Sequence, residues 1–136
     1  MIRTRRSFQI ALLVVAFIPF VLGVMTLIGG AARFLPEEVV TARLDSQMRY
    51  YAIYSMLPLM MSIWIVRNLE IAGPVLLITL GATALGGAAR LYSATQYGLP
   101  EPAMIGISVF EIGVLLFLPW YRLVIHQSTT TNQAAA

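Results

Sequence analysis

Four apolar stretches free of charge run from Ser7 to Ala32, Tyr50 to Val66, Ile71 to Ala89 and Pro102 to Tyr121, with short polar segments between them. A helix crosses a hydrocarbon core of about 30 Å with about 20 residues, so each stretch predicts one transmembrane helix. The spans fall at about residues 8–32, 49–66, 71–89 and 102–121. The predicted fold is all-α: a polytopic membrane protein with a four-transmembrane-helix bundle. Residues 1–126 are expected to form a single transmembrane domain, and residues 127–136, polar and then Ala-rich, read as a disordered tail.

The residues between the spans predict the connections. Pro36-Glu37-Glu38 puts a proline and two acids where a helix would begin, and acids there complement the helix dipole, so a short interfacial helix is expected. Asp45 and Arg49 lie four apart on one helical face, which predicts a loop that runs on into span two with this pair at its outer mouth. Pro58 removes a backbone hydrogen bond in mid-span and frees the carbonyl of Tyr54, predicting a kink. Arg67 to Glu70, followed by Gly73-Pro74, leaves room only for a tight hairpin between spans two and three. Ser93 to Pro102 forms the next loop, closed by the rigid turn Gly98-Leu99-Pro100-Glu101-Pro102. Arg3, Arg5 and Arg6 precede the first run as they would a secretory signal. Its 26 uncharged residues, however, exceed the roughly 7–15 of a signal core, so it reads as a retained helix.

One phrase occurs twice, 57 residues apart: Thr26-Leu-Ile-Gly-Gly-Ala-Ala-Arg33 and Thr83-Ala-Leu-Gly-Gly-Ala-Ala-Arg90. The repetition predicts a bundle built from a duplicated two-helix unit, its halves related by a pseudo-two-fold axis along the membrane normal. Thr26, Gly30 and Arg33 fall at helical spacing on one face, as do Thr83, Gly87 and Arg90, so two like stripes are expected to line one external cavity. Small residues let helix backbones approach closely, and packing drives association in lipid. Gly29, Gly30, Gly86 and Gly87 are therefore the expected packing positions, and span three, rich in Gly and Ala, the expected central helix.

Composition narrows the function. Charged residues are 11% of the chain and apolar residues 59%, against about 25% charged in ordinary soluble domains. Cysteine is absent and the one histidine, His126, lies beyond the last span, which argues against a haem, a zinc site or thiol chemistry. No cofactor and no metal are expected. No phosphate loop and no nucleophile–base pattern is present, so the chain does not read as an enzyme. All nine basic residues are arginines, a usage that codon bias in a GC-rich bacterial genome explains. They are spread over helix ends, which suits anchoring in the bilayer interface and not a nucleic-acid partner. Arg3, Arg5, Arg6, Arg67 and Arg122 fall on one side and Arg33, Arg43, Arg49 and Arg90 on the other. The N-terminal triplet predicts an N-in/C-in topology in a bacterial inner membrane.

Glu111 is the residue most open to a chemical role. It lies about 13 Å into span four, where an ionisable group costs several kcal/mol unless paired or protonated. Two readings stand: a structural clip, or a ligand-contacting or proton-handling carboxyl. Arg90 is its expected partner, because spans three and four are consecutive and a guanidinium reaches inward by snorkelling. Arg33 holds the matching place in the first copy. Tyr54, deep in span two and at the position matching Glu111, needs a partner for its hydroxyl. Glu111, Arg90, Arg49, Asp45, Arg33 and Tyr54 together form the expected ligand-binding or buried polar network.

Leu44-Asp-Ser-Gln-Met-Arg-Tyr-Tyr51, Gly86-Gly-Ala-Ala-Arg-Leu91, the turn ending at Pro102, and Glu111 together resemble a bacterial four-helix family known as domain of unknown function 4345, itself distantly similar to DoxX-like membrane proteins. The resemblance covers about residues 8 to 125. It implies a four-helix fold and draws attention to Asp45, Arg49, Arg90 and Glu111, and it carries no reaction. Three functions are compatible with these features. The first is a non-catalytic accessory or scaffold subunit of a membrane complex, whose partner is a membrane protein or a second copy. The second is a binding protein for a small apolar or lipid-like ligand near Glu111 and Arg90. The third is a proton or ion pathway, which a single intramembrane carboxyl supports least.

Overall fold

Backbone capping decides where the first helix stops. Helix α1 (Ile2–Gly29) ends where Gly30 adopts a φ of +62°, and a 3-10 turn, Ala31–Arg33, follows. A second 3-10 turn, Glu37–Val39, carries Glu37 and Glu38 in its first turn, with Pro36 as its N-cap. Helix α2 (Ala42–Arg67) then begins upstream of Asp45 and continues through Pro58. The expected run from loop into helix is thus present, while the expected interfacial helix is a single 3-10 turn. These coordinates are a computed structural model, which describes residues 2–100 and 102–134.

Helix α3 (Gly73–Tyr97) starts with Pro74 in its first turn, where a missing N–H costs nothing, and is closed by Gly98 at φ +95°, whose N–H bonds the carbonyl of Ala94. It runs eight residues past Ala89, into the stretch read from sequence as loop, because Arg90 to Tyr97 contains no helix breaker. Helix α4 (Pro102–Gly113) passes through a 3-10 turn, Val114–Leu116, into α5 (Phe117–Ala134). Helical backbone therefore extends into the segment expected to be a disordered tail. Glu101 of the rigid turn and the final two alanines lie outside the described residues.

Among the described residues, three helical stretches are long and apolar enough to cross a membrane: Thr4–Gly29, Gly73–Tyr97 and Pro102–Gln127. Helix α2 is as long, but its uncharged stretch, residues 50–66 between Arg49 and Arg67, is the shortest of the four, and length and composition alone do not mark it as a span.

The chain divides into two compact units, residues 10–64 and residues 1–9 with 65–136. In the first, α1 and α2 meet at Gly23, where a Cβ would stand 2.7 Å from the Ala52 carbonyl oxygen. Any side chain there would push the two backbones apart. In the second, α3 packs on α4, the following 3-10 turn and α5, and buries Leu76, Leu80, Ala84 and Gly87 in a row at three- and four-residue spacing. A Cβ on Gly87 would lie 2.7 Å from the Ser108 carbonyl oxygen and 2.9 Å from the Glu111 Cβ.

The same unit has an aromatic core. Phe8, fully buried, meets Phe117 and Trp120 edge-on at centroid distances of 5.8 and 5.6 Å. Each such pair contributes about 0.5–1.5 kcal/mol beyond the area it buries. Around this core, polar groups tie the segments together: Gln9 Nε2 donates to the Val66 carbonyl at 2.8 Å, and the Tyr121 hydroxyl to the Leu69 carbonyl at 2.8 Å. Arg5 pairs with Glu70 at 2.6 Å. Leu69 and Ala72, both fully buried, hold the connection between α2 and α3 in place.

Candidate functional site

The polar residues singled out in the sequence gather in two clusters, one in each unit. The first closes α1. A helix C-terminus leaves its last carbonyls without intrahelical donors, and Arg49 supplies them: Nη1 donates to the Leu27 carbonyl at 2.6 Å and to the Ile28 carbonyl at 3.1 Å. Its Nε donates to Asp45 Oδ2 at 2.8 Å, and Asp45 Oδ1 accepts the Ala31 N–H at 2.7 Å. One carboxylate and one guanidinium, four residues apart on α2, thus fix both sides of the break after Gly29. Gly30 passes directly beneath them. A Cβ there would overlap the Asp45 carboxylate and the Arg49 guanidinium, so glycine is required by both space and φ.

Charge follows geometry in this cluster. The Arg49 guanidinium and, after it, the Ala31 N–H hold the Asp45 carboxyl below the usual carboxylate range. Glu70, in the connection between α2 and α3, is lowered as well, first by its own backbone N–H and then by Arg5.

The second cluster joins α3 to α4. Arg90 Nε donates to Glu111 Oε2 at 3.2 Å, with the Glu111 side chain only 20% exposed and that of Arg90 50% exposed. The pair sits one helical turn beyond the close approach at Gly87, so the tight backbone contact brings Glu111 within reach of the arginine. Ser108, buried on the same face, returns its hydroxyl to the Met104 carbonyl at 2.9 Å and needs no outside partner. Beside Arg90 the ends of α3 and α4 leave an open cleft of about 280 Å³, lined by Arg90, Ser93, Tyr97, Gly98, Pro100 and Met104 among others.

The two copies of the repeated phrase adopt different backbones, contrary to the expectation of two like stripes. Thr83 to Arg90 is continuous helix, and Arg90 faces α4. Thr26 to Arg33 is broken after Gly29, so Thr26, Gly30 and Arg33 do not share a helical face. The cause is the Asp45 carboxylate, which takes the Ala31 N–H that a continuing helix would use internally. Arg33 is exposed, and its aliphatic stem lies against Gly29.

Tyr54 finds its partner on its own helix, where its hydroxyl and that of Tyr50 are 2.7 Å apart. Of the expected packing glycines, Gly87 makes a tight contact and Gly30 a conformational one, whereas a Cβ on Gly86 would meet nothing within 4 Å. Gly86 and Gly81 point away from any neighbour, so α3 packs along one face only. Gly23, absent from the expected packing set, is the contact glycine of the first unit. The signal for it was its seven-residue spacing from Ala16, which puts two small residues on one face of α1 two helical turns apart. Among the described residues no three His, Asp or Glu side chains gather as metal ligands would.

Among the described residues, these features define an all-helical protein with three helices long and apolar enough to span a membrane and with three ion pairs, Arg5–Glu70, Asp45–Arg49 and Arg90–Glu111. The chain belongs to the family described as a domain of unknown function, DUF4345, whose model matches residues 7–121 and so takes in both polar clusters. No curated protein and no solved structure matches the chain significantly.

Proposed function

We propose that the chain is a four-span protein of a bacterial inner membrane, with both termini cytoplasmic, that serves as a non-catalytic accessory or scaffold subunit of a larger membrane complex. The observation that carries this reading is the use made of the polar residues. Asp45, Arg49 and Glu111 are each occupied in binding a neighbouring helix of their own unit. Side chains so engaged serve to set helix geometry, as ion pairs at helix ends do in lipid.

The apolar residues support the same reading. Ile78 and Leu85 on α3 are 71% and 73% exposed, and Gly86 lies on that helix with open space above it. In lipid, close packing between helices is favoured by small residues of this kind, and a larger neighbour would find a flat surface there. Helix α2 crosses as the fourth span in this reading: its uncharged stretch from Tyr50 to Val66 is bounded by Arg49 and Arg67, which reach to the interfaces.

The test is affinity purification of a tagged chromosomal copy in mild detergent, followed by in-gel sizing under native conditions and cross-linking from cysteines placed at Gly86 and, as a control, at exposed Ile10 on α1. A defined partner cross-linked at Gly86 and not at Ile10 supports the scaffold role. Recovery as a lone chain, with no cross-link at either position, contradicts it.

A further inference from the structure

The cleft beside Arg90 has a chemistry that the ion pair with Glu111 does not use. Glu111 engages Nε, the inner edge of the guanidinium, and is not among the residues that line the cleft. The two outer nitrogens of Arg90 have no partner among the described residues. The hydroxyls of Ser93 and Tyr97, one and two turns further along α3, also line the cleft and make no hydrogen bond to another described residue. Three sets of unpaired donors therefore border one open groove. Met104 and Pro100 form its apolar wall.

Depth identifies what such a groove would hold. Arg90 lies about 25 Å along α3 from Gly73 and Tyr97 about 36 Å, at 1.5 Å per residue. With a hydrocarbon core of about 30 Å, the groove straddles the boundary where lipid headgroups lie. A guanidinium fork pairs with phosphate oxygens through two parallel N–H bonds. With both termini cytoplasmic, the groove opens on the outer face, where an anionic headgroup is again the charge complement of an interfacial arginine.

We infer that the groove between the ends of α3 and α4 is a binding site for an anionic phospholipid, whose phosphate is held by the outer nitrogens of Arg90 with Ser93 and Tyr97 beside it. Glu111 is the positioning residue: by holding Nε it turns the fork outward. The inference is independent of the accessory role, since a lipid can be held with or without a protein partner.

The experiment uses the full chain in nanodiscs of mixed phosphatidylglycerol and phosphatidylcholine, with the lipids retained after transfer to detergent counted by native mass spectrometry. The wild type should retain phosphatidylglycerol over phosphatidylcholine by about fivefold, the worth of one arginine near an anionic headgroup. Arg90→Gln should bring the two lipids to parity. Glu111→Gln, which keeps an acceptor for Nε and removes the competing charge, should keep the wild-type preference or raise it. No preference in the wild type, a preference unchanged in Arg90→Gln, or its loss in both variants would overturn the inference, the last because it is what a purely structural ion pair gives. Should Arg90→Gln not fold, the exposed double variant Ser93→Ala, Tyr97→Phe decides: a reduced preference supports the site and an unchanged one overturns it.

Discussion

Arg49 donates a hydrogen bond of 2.6 Å to the carbonyl of Leu27, the last-turn acceptor of a helix that ends 20 residues upstream of it. With Asp45 beside it, this one side chain closes α1 and aligns the start of α2. Arg49→Lys keeps the charge and loses the fork, so the Ile28 and Leu27 carbonyls and the Asp45 carboxylate can no longer be served together. We expect a lower melting temperature in detergent for Arg49→Lys than for Arg33→Lys, whose arginine is exposed on the 3-10 turn. Equal melting temperatures would show that the cap is dispensable.

The same carboxylate gives stability a dependence on acid. Asp45 and Glu70 have folded pKa values below their unfolded ones, so their contribution is present above about pH 4, the unfolded carboxylate range, and is lost as pH falls from there through the folded values. Melting curves between neutral pH and about pH 3 should decline in this window, and Asp45→Asn should flatten the decline. An Asp45→Asn protein whose melting temperature falls as steeply as the wild type's would contradict the assignment.

Neighbouring glycines on α3 should differ sharply. Gly87→Leu places a side chain against the Ser108 carbonyl and the Glu111 Cβ, and overpacking of this kind costs roughly 1–3 kcal/mol. Gly86→Leu enters open space and should leave the melting temperature of the isolated chain within about a degree or two of wild type, as surface changes usually do. Glu111→Gln keeps an acceptor for Arg90 and should fall between them. If Glu111→Gln proves more destabilising than Gly87→Leu, the charge of Glu111, and not the glycine contact, holds α4 to α3.

Gly30→Ala tests the break itself. The backbone there has φ +62° and ψ −159°, a region that only glycine enters without strain, so the substitution should cost about 1–3 kcal/mol before any clash with Asp45 and Arg49 is counted. Chemical denaturation of the variant, compared with Gly29→Ala, measures it. A smaller effect at Gly30 than at Gly29 would mean that α1 continues through this point in solution.

What could be read from the sequence was whatever rests on long uncharged runs and on local spacing. The three spans recognised by length and composition, the Asp45–Arg49 pair and the Arg90–Glu111 pair are all of this kind, since consecutive antiparallel helices bring residues at their shared end together. The two copies of Gly-Gly-Ala-Ala-Arg misled because identical residues respond to different neighbours. The first copy faces a carboxylate that captures its Ala31 N–H; the second faces the Glu111 carboxylate, which engages the Arg90 side chain and leaves the backbone helical. Gly23 and Tyr121 act through partners 29 and 52 residues away in sequence, and nothing local in their surroundings signals those partners. The extension of α3 to Tyr97 was hidden by serine, threonine and glutamine, which read as loop but fit a helix once it has left the hydrocarbon.

In the proposed accessory role, the polar residues hold the helices in place and the apolar faces meet another membrane protein. The most direct measurement is the mass of the full-length protein extracted in mild detergent from its native membrane, by native mass spectrometry or light scattering corrected for detergent. The expected result is a particle of fixed stoichiometry, heavier than the 15.0 kDa chain with its bound lipid, that contains a second protein or a second copy. A monodisperse single chain under every mild condition would contradict it.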